Sequence, residues 1–124
     1  MAGEARYILF LDDSPERAAL FSNRSTGTDR ARTVWVRTVS EAVEALENFA
    51  DTFDFICLDH DLGIEYQDSR SEESGMEVVR YLEKNQGFKS AKVIVHTWNL
   101  PAGARMVDRL TKAGYRVYQK PFGM

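Results

Sequence analysis

Apolar runs in this chain stop on residues that can do chemistry. Tyr7-Ile8-Leu9-Phe10-Leu11 leads into Asp12-Asp13, and Phe55-Ile56-Cys57-Leu58 leads into Asp59-His60-Asp61. Val93-Ile94-Val95 leads into His96-Thr97, and Val117-Tyr118 into Gln119-Lys120. Clustered carboxylates offer hard oxygen ligands to a divalent cation. Histidine exchanges a proton near neutral pH and serves as a general acid or base. A threonine hydroxyl and a lysine ammonium can hold the oxygens of an anion such as a phosphoryl group. A short apolar run followed by polar residues is the pattern of a buried parallel strand. In open α/β sheets, ligands bind outside the carboxyl ends of such strands.

The intervening segments must position those ends. Residues 7–11 read as a first, central strand. Ser14 is a good N-cap and Pro15 a good first helical residue, so a helix should run to about Ser22, with Ala18, Ala19 and Phe21 near its buried side. Residues 23–32 are polar and read as loop. Residues 33–38 alternate β-branched and polar types, the pattern of an edge strand. Ser40 is placed to cap a helix to about Ala50, with Val43, Leu46, Phe49, Ala42 and Ala45 inward. Residues 53–59 form the third strand. Residues 63–74 are irregular and carry Glu65, Asp68, Arg70, Glu72 and Glu73, which suits a solvated loop or a lid. Residues 75–86 are helical, with Val78, Val79 and Leu82 inward. Residues 91–97 are the fourth strand. Asn99 and Pro101 start a helix that Gly114 ends, with Met106, Val107 and Leu110 inward. Residues 115–119 are the fifth strand.

Alternating strands and helices predict an α/β fold: an open, parallel five-stranded sheet of order 2-1-3-4-5 with right-handed crossovers and four helices. Residues 1–124 make one domain with room for a real core. A net charge of −3 argues against a protein that coats duplex nucleic acid but leaves room for a small phosphorylated ligand. The single cysteine, Cys57, sits mid-strand and reads as core; it fits a reducing compartment. No apolar run approaches the roughly 20 residues that span a bilayer, and residues 1–6 lack a signal-peptide core. The expectation is a cytoplasmic domain without a membrane partner.

Taken together, Asp12-Asp13, Asp59, Thr97 and Lys120-Pro121-Phe122 resemble the receiver domain of response regulators, of flavodoxin/CheY-type fold. The resemblance covers essentially the whole chain. It implies an acidic metal-binding pair at Asp12 and Asp13, a phospho-accepting Asp59, a phosphate-contacting hydroxyl at Thr97 and a cation at Lys120. The chain departs from ordinary receivers at His60, Asp61 and His96, and it stops where a fifth helix would begin. The missing helix removes a signalling surface and predicts an open sheet face that could pair two copies as a homodimer.

A narrower resemblance rests on Leu11-Asp12-Asp13, Leu58-Asp59-His60-Asp61-Leu62-Gly63, Ser74-Gly75 and His96-Thr97-Trp98-Asn99. These runs are similar to the cyclic-phosphate-processing receiver domains, whose proposed work is on cyclic phosphates in nucleotide or RNA-end metabolism. The resemblance implies Mg²⁺, with Mn²⁺ or another divalent metal open, held by Asp12, Asp13 and Asp59. Asp61 is either a further ligand or a brace for its loop. His60 and His96 are acid–base candidates. Thr97 and Lys120 are candidates to hold phosphate oxygens. Asn99 is a helix cap that can also touch substrate. Asp59 is either a metal ligand or a nucleophile toward phosphorus. The expected activity is metal-dependent hydrolysis of a cyclic phosphate ester. One alternative is a stand-alone receiver phosphorylated on Asp59. Another is a non-catalytic module that binds a nucleotide or protein.

Overall fold

A computed structural model describes residues 6–25, 31–49, 52–62 and 74–123. The strands are β1 (Arg6–Leu11), β2 (Ala31–Val36), β3 (Phe53–Leu58), β4 (Lys92–Val95) and β5 (Arg116–Gln119). The helices are α1 (Pro15–Ser25), α2 (Val39–Asn48), α3 (Gly75–Lys84) and α4 (Leu100–Lys112), with a 3-10 turn at Gln86–Phe88. All five strands are parallel, in the order β2-β1-β3-β4-β5. This is the predicted fold, with β1 central and β2 at an edge. Among the described residues no helix follows β5, and no helix is long and apolar enough to cross a membrane.

Several boundaries differ from the expectation. Helix α1 continues through residues 23–25, which the polar composition had assigned to loop. Strand β2 begins and ends two residues early, because its register follows β1 from Arg6↔Ala31 to Leu11↔Val36. Thr38 rather than Ser40 then caps α2: its hydroxyl accepts from the Glu41 amide at 3.1 Å, while the Glu41 carboxylate accepts from the Arg37 amide at 2.8 Å. Helix α3 ends two residues before the expected Gln86, and the 3-10 turn after it buries Phe88. Ala19 is exposed, so α1 buries Ala18 and half-buries Phe21 instead. Gly114 ends α4 in the left-handed region, φ 96°, as its position suggested. The acidic residues of 63–73 lie outside the described residues.

The two faces of the sheet are filled unequally. Leu9, Leu11, Ile56, Leu58, Val93 and Val95 point to the face covered by α2, α3 and α4, where Leu46, Val78, Val79, Leu82, Met106 and Leu110 are wholly buried. Each such side chain contributes about 2 kcal/mol of burial. The other face holds Ile8, Phe10 and Cys57 with Ala18 of α1, and half-buried Phe21, Phe55, Ile94 and Phe122 around them. On that thin face Phe10, Phe21, Cys57, Ile94 and Phe122 line a cavity of about 210 Å³.

Candidate functional site

The register alone places the polar residues in one row. Leu11 pairs with Leu58, Leu58 with Val95, and Val95 with Gln119. One residue further along, Asp59 N donates to Leu11 O (3.1 Å), His96 N to Leu58 O (2.9 Å) and Lys120 N to Val95 O (2.8 Å). Asp12, Asp59, His96 and Lys120 are therefore level at the carboxyl edge of the sheet. Side chains alternate along a strand. Asp12, Asp59 and His96 thus follow the phase of Phe10, Cys57 and Ile94, above the thin face. The His96 ring stacks on Phe10 with centroids 4.8 Å apart.

The row converges into a cluster. One ligand atom from each of Asp12, Asp59 and His96 lies within 4.8 Å of the others, and all three residues are buried. His96 Nε2 is 3.1 Å from Asp12 Oδ2. His96 Nδ1 is buried without a hydrogen-bond partner. Two carboxylates and an imidazole so disposed are a donor set that fits a divalent cation.

Arg17, which the sequence reading passed over, stands on the acidic side. Its Nε donates to Asp12 Oδ2 at 2.8 Å and a terminal nitrogen to Asp12 Oδ1 at 2.9 Å. The same terminal nitrogen is 3.7 Å from Asp59 Oδ2 and 3.9 Å from Asp13 Oδ1. A guanidinium thus sits among the carboxylates expected to take a cation. The signal was present: Asp13 and Arg17 are four residues apart across the first turn of a helix. Ser14 makes the turn, its amide donating to Asp12 Oδ1 (2.8 Å) and its hydroxyl accepting from the Arg17 amide (3.2 Å). Trp35 Nε1 donates to the Asp12 carbonyl at 2.7 Å and ties β2 to the site.

Asp12 and Asp59 are driven apart electrostatically. Burial pushes the Asp12 carboxyl up, but bonds from His96, Arg17 and the Ser14 amide more than offset this, and it sits below its ordinary value. Burial also pushes Asp59 up, the Asp12 charge adds to the effect, and His96, the Thr97 hydroxyl and the His60 amide do not cancel it. Asp12 is a firm carboxylate. Asp59 is an acid whose charge is poorly compensated.

The loop after β3 holds the remaining candidates. His60 N donates to Asp59 Oδ1 at 2.8 Å. His60 Nδ1 lies 2.7 Å from Asp61 Oδ1, which also accepts from the Asn99 side chain at 3.3 Å. Asp61 therefore braces His60 and Asn99 and stands apart from the Asp12–Asp59–His96 cluster. Asn99 caps α4 through Ala102 N (3.3 Å), and Thr97 accepts from the Asn99 amide (3.1 Å). Gly75 N donates to His60 O at 2.9 Å. A Cβ on Gly75 would fall 1.8 Å from the Asp59 carbonyl oxygen, so the start of α3 can approach this loop only as glycine.

Arg17, Asp59, Asp61, His96, Thr97, Trp98 and Asn99 line a pocket of about 150 Å³. Thr97 is buried and Trp98 exposed at its mouth. Lys120 shares the row through its backbone, but its side chain is exposed and borders the aromatic cavity instead.

Known structures share this fold. The response regulator domain of Thermotoga maritima CheB is 19% identical, with a TM-score of 0.66 over 97% of this chain and 81% of its own. The Mn²⁺-bound response regulator Rcp1 is 20% identical, with a TM-score of 0.66 over 93% and 80%. A Burkholderia pseudomallei response regulator, solved with a phosphorylated aspartic acid, calcium ion and citrate, is 22% identical, with a TM-score of 0.63 over 93% of this chain and 59% of its own. At such identities the likeness establishes the fold. No curated protein sequence matches this one. The family profile described as cyclic-phosphate processing receiver domain matches residues 7–112, which takes in every residue of the pocket. The chain belongs to the cyclic-phosphate-processing receiver family.

Proposed function

We propose that this domain hydrolyses a small cyclic phosphate ester, of a nucleotide or an RNA end, with the help of a divalent metal. The observation that carries the reading is the buried Asp12–Asp59–His96 cluster beside a pocket that also holds Thr97 and Asn99. Asp12, Asp59 and His96 would hold the ion, with Asp13 beside them. The imidazole in that set favours Mn²⁺ over Mg²⁺. When bound, the ion supplies positive charge against the phosphate oxygens.

The chain's own groups do the rest. The Thr97 hydroxyl and the Trp98–Asn99 edge position the ester at the pocket mouth. Lys120, exposed at the end of the row, would swing from the edge of the aromatic cavity to reach a phosphate oxygen. Asp61 fixes the orientation of the His60 ring through its 2.7 Å contact with Nδ1. Water attacks phosphorus and its proton passes to His60. The ring P–O bond breaks, and the departing oxygen takes that proton back from the His60 imidazolium. One ester bond is exchanged for a P–OH and an alcohol, and no oxidant or cosubstrate is needed.

The test is phosphorus NMR of the protein with Mn²⁺ or Mg²⁺ and a panel of cyclic phosphates, including 2′,3′-cyclic nucleotides, beside Asp59→Asn and His60→Ala. Metal-dependent ring opening that both substitutions abolish is expected. Turnover that survives Asp59→Asn would end the reading. A stable aspartyl phosphate from acetyl phosphate, with no ring opening, would replace it with a phospho-acceptor role for Asp59.

A further inference from the structure

Arg17 is the fully ionised cation of the site, held above its ordinary pKa by its bond to Asp12. Its guanidinium bonds both oxygens of Asp12 and stands within 4 Å of Asp13 and Asp59. Those oxygens include the ones a divalent cation would need, and two positive groups cannot share them. Like charges crowded onto the same carboxylate oxygens repel, the more so where the site is partly buried. Arg17 also has somewhere to go. Its side chain is 37% exposed, it springs from the first turn of α1, and it lines the 150 Å³ pocket with Thr97 and Asn99.

We infer that Arg17 is the resident counter-cation of the acidic site: a divalent metal displaces it, and the displaced guanidinium becomes a ligand for the substrate phosphate. The inference rests on the metal and phosphate reading above and deepens it. It gives one residue two positions. Without metal, Arg17 neutralises Asp12 and its fork is not available to phosphate. With metal, its planar fork is freed beside the pocket, where it matches two phosphate oxygens. Metal and phosphate would then bind in that order, because the first event creates part of the site for the second.

The experiment is calorimetric titration of chelator-stripped full chain with MnCl2 alone, for wild type, Arg17→Gln and Arg17→Lys, followed by inorganic phosphate into the Mn²⁺-loaded proteins. Neither step requires turnover, so a failed hydrolase reading and a failed displacement remain distinguishable. Removing the competitor should tighten Mn²⁺ by about tenfold in Arg17→Gln, with Arg17→Lys between, because a single ammonium lacks the fork. Phosphate should bind the loaded Arg17→Gln protein about tenfold more weakly than wild type. Circular dichroism establishes that each stripped variant is folded; if Arg17→Gln is not, the Arg17→Lys titration decides. Mn²⁺ binding that is unchanged or weaker in a folded variant overturns the displacement. Phosphate binding unchanged in the loaded variant overturns the second role of Arg17.

Discussion

The two faces of the sheet divide the labour. On the face covered by α2, α3 and α4, apolar side chains from three helices lock into the strands, and the buried Tyr115 hydroxyl is bonded to the Leu82 carbonyl. On the opposite face one helix covers a handful of residues, and above them stand two buried carboxylates and an imidazole. The thick face supplies burial free energy; the thin face spends some of it on desolvated charge. The difference teaches why the chemistry sits where it does. A rigid sheet edge held from one side can carry uncompensated groups on the other without losing their positions.

The largest effect should come from the thick side. Leu46 is wholly buried in the main core. Leu46→Ala should cost about 3 to 4 kcal/mol in urea unfolding, because it leaves a cavity that rigid neighbours cannot fill. Cys57→Ala on the thin face, beside an existing cavity, should cost about 1 kcal/mol. Equal costs would break the distinction between the faces.

Gly75 is where the thick side touches the site. The clash of an added Cβ is with the Asp59 backbone, which no rotamer change relieves. Gly75→Ala should therefore cost about 2 to 3 kcal/mol and weaken Mn²⁺ binding, since it moves Asp59 itself. A variant of normal stability and metal affinity would show that the α3 start can retreat at no cost. Next comes the end of β1. Asp12→Asn removes the charge that Arg17 and His96 both address. A cost of about 2 kcal/mol is expected in the presence of chelator, measured by urea unfolding at neutral pH.

How much of this was legible in the sequence follows from which forces decide each feature. Residues such as Phe55-Ile56-Cys57-Leu58 are apolar in both phases, so a central parallel strand was readable. Its end at Asp59 was readable too, because carboxylates do not continue a buried run. The edge strand β2 slipped by two residues because register with β1, a non-local hydrogen-bond ladder, overrides local alternation. Asp12, Asp59 and His96 could be named from their positions at strand ends, and parallel register then brought them level. Arg17 could not be weighed in the same way. An arginine in a first helical turn is ordinarily a solvated residue, and only the fold puts Asp59 on its far side. Asp61 was open between ligand and brace; its backbone bridges Ser74 and its carboxylate contacts His60 and Asn99, which favours the brace. Lys120 was placed by strand order, but strand order fixes only a backbone. The long side chain follows the exposed edge of the aromatic cavity.

The smallest effect has the opposite sign and is the sharpest probe of the thin face. Asp59 is buried, and its carboxyl is raised because its charge is poorly compensated. Its ionised form therefore destabilises the folded protein. Asp59→Asn should raise stability by about 1 kcal/mol at pH 7 in chelator, although it removes a residue of the proposed machinery. The pH dependence separates the two acids. A raised folded value means that the wild type's penalty relative to Asp59→Asn is absent below the ordinary 3.8 and grows to its full size as pH rises through the folded value. A lowered folded value means the reverse for Asp12: its advantage over Asp12→Asn is full above 3.8 and is lost as pH falls through the folded value. Two urea series run downward from pH 7 should thus give difference curves of opposite sign, with the Asp59 penalty gone below 3.8 and the Asp12 advantage starting to fall only there. If Asp59→Asn instead lost stability at neutral pH, Asp59 would be as well compensated as Asp12. The contrast between an anchoring acid on β1 and a poised one on β3 would then fail.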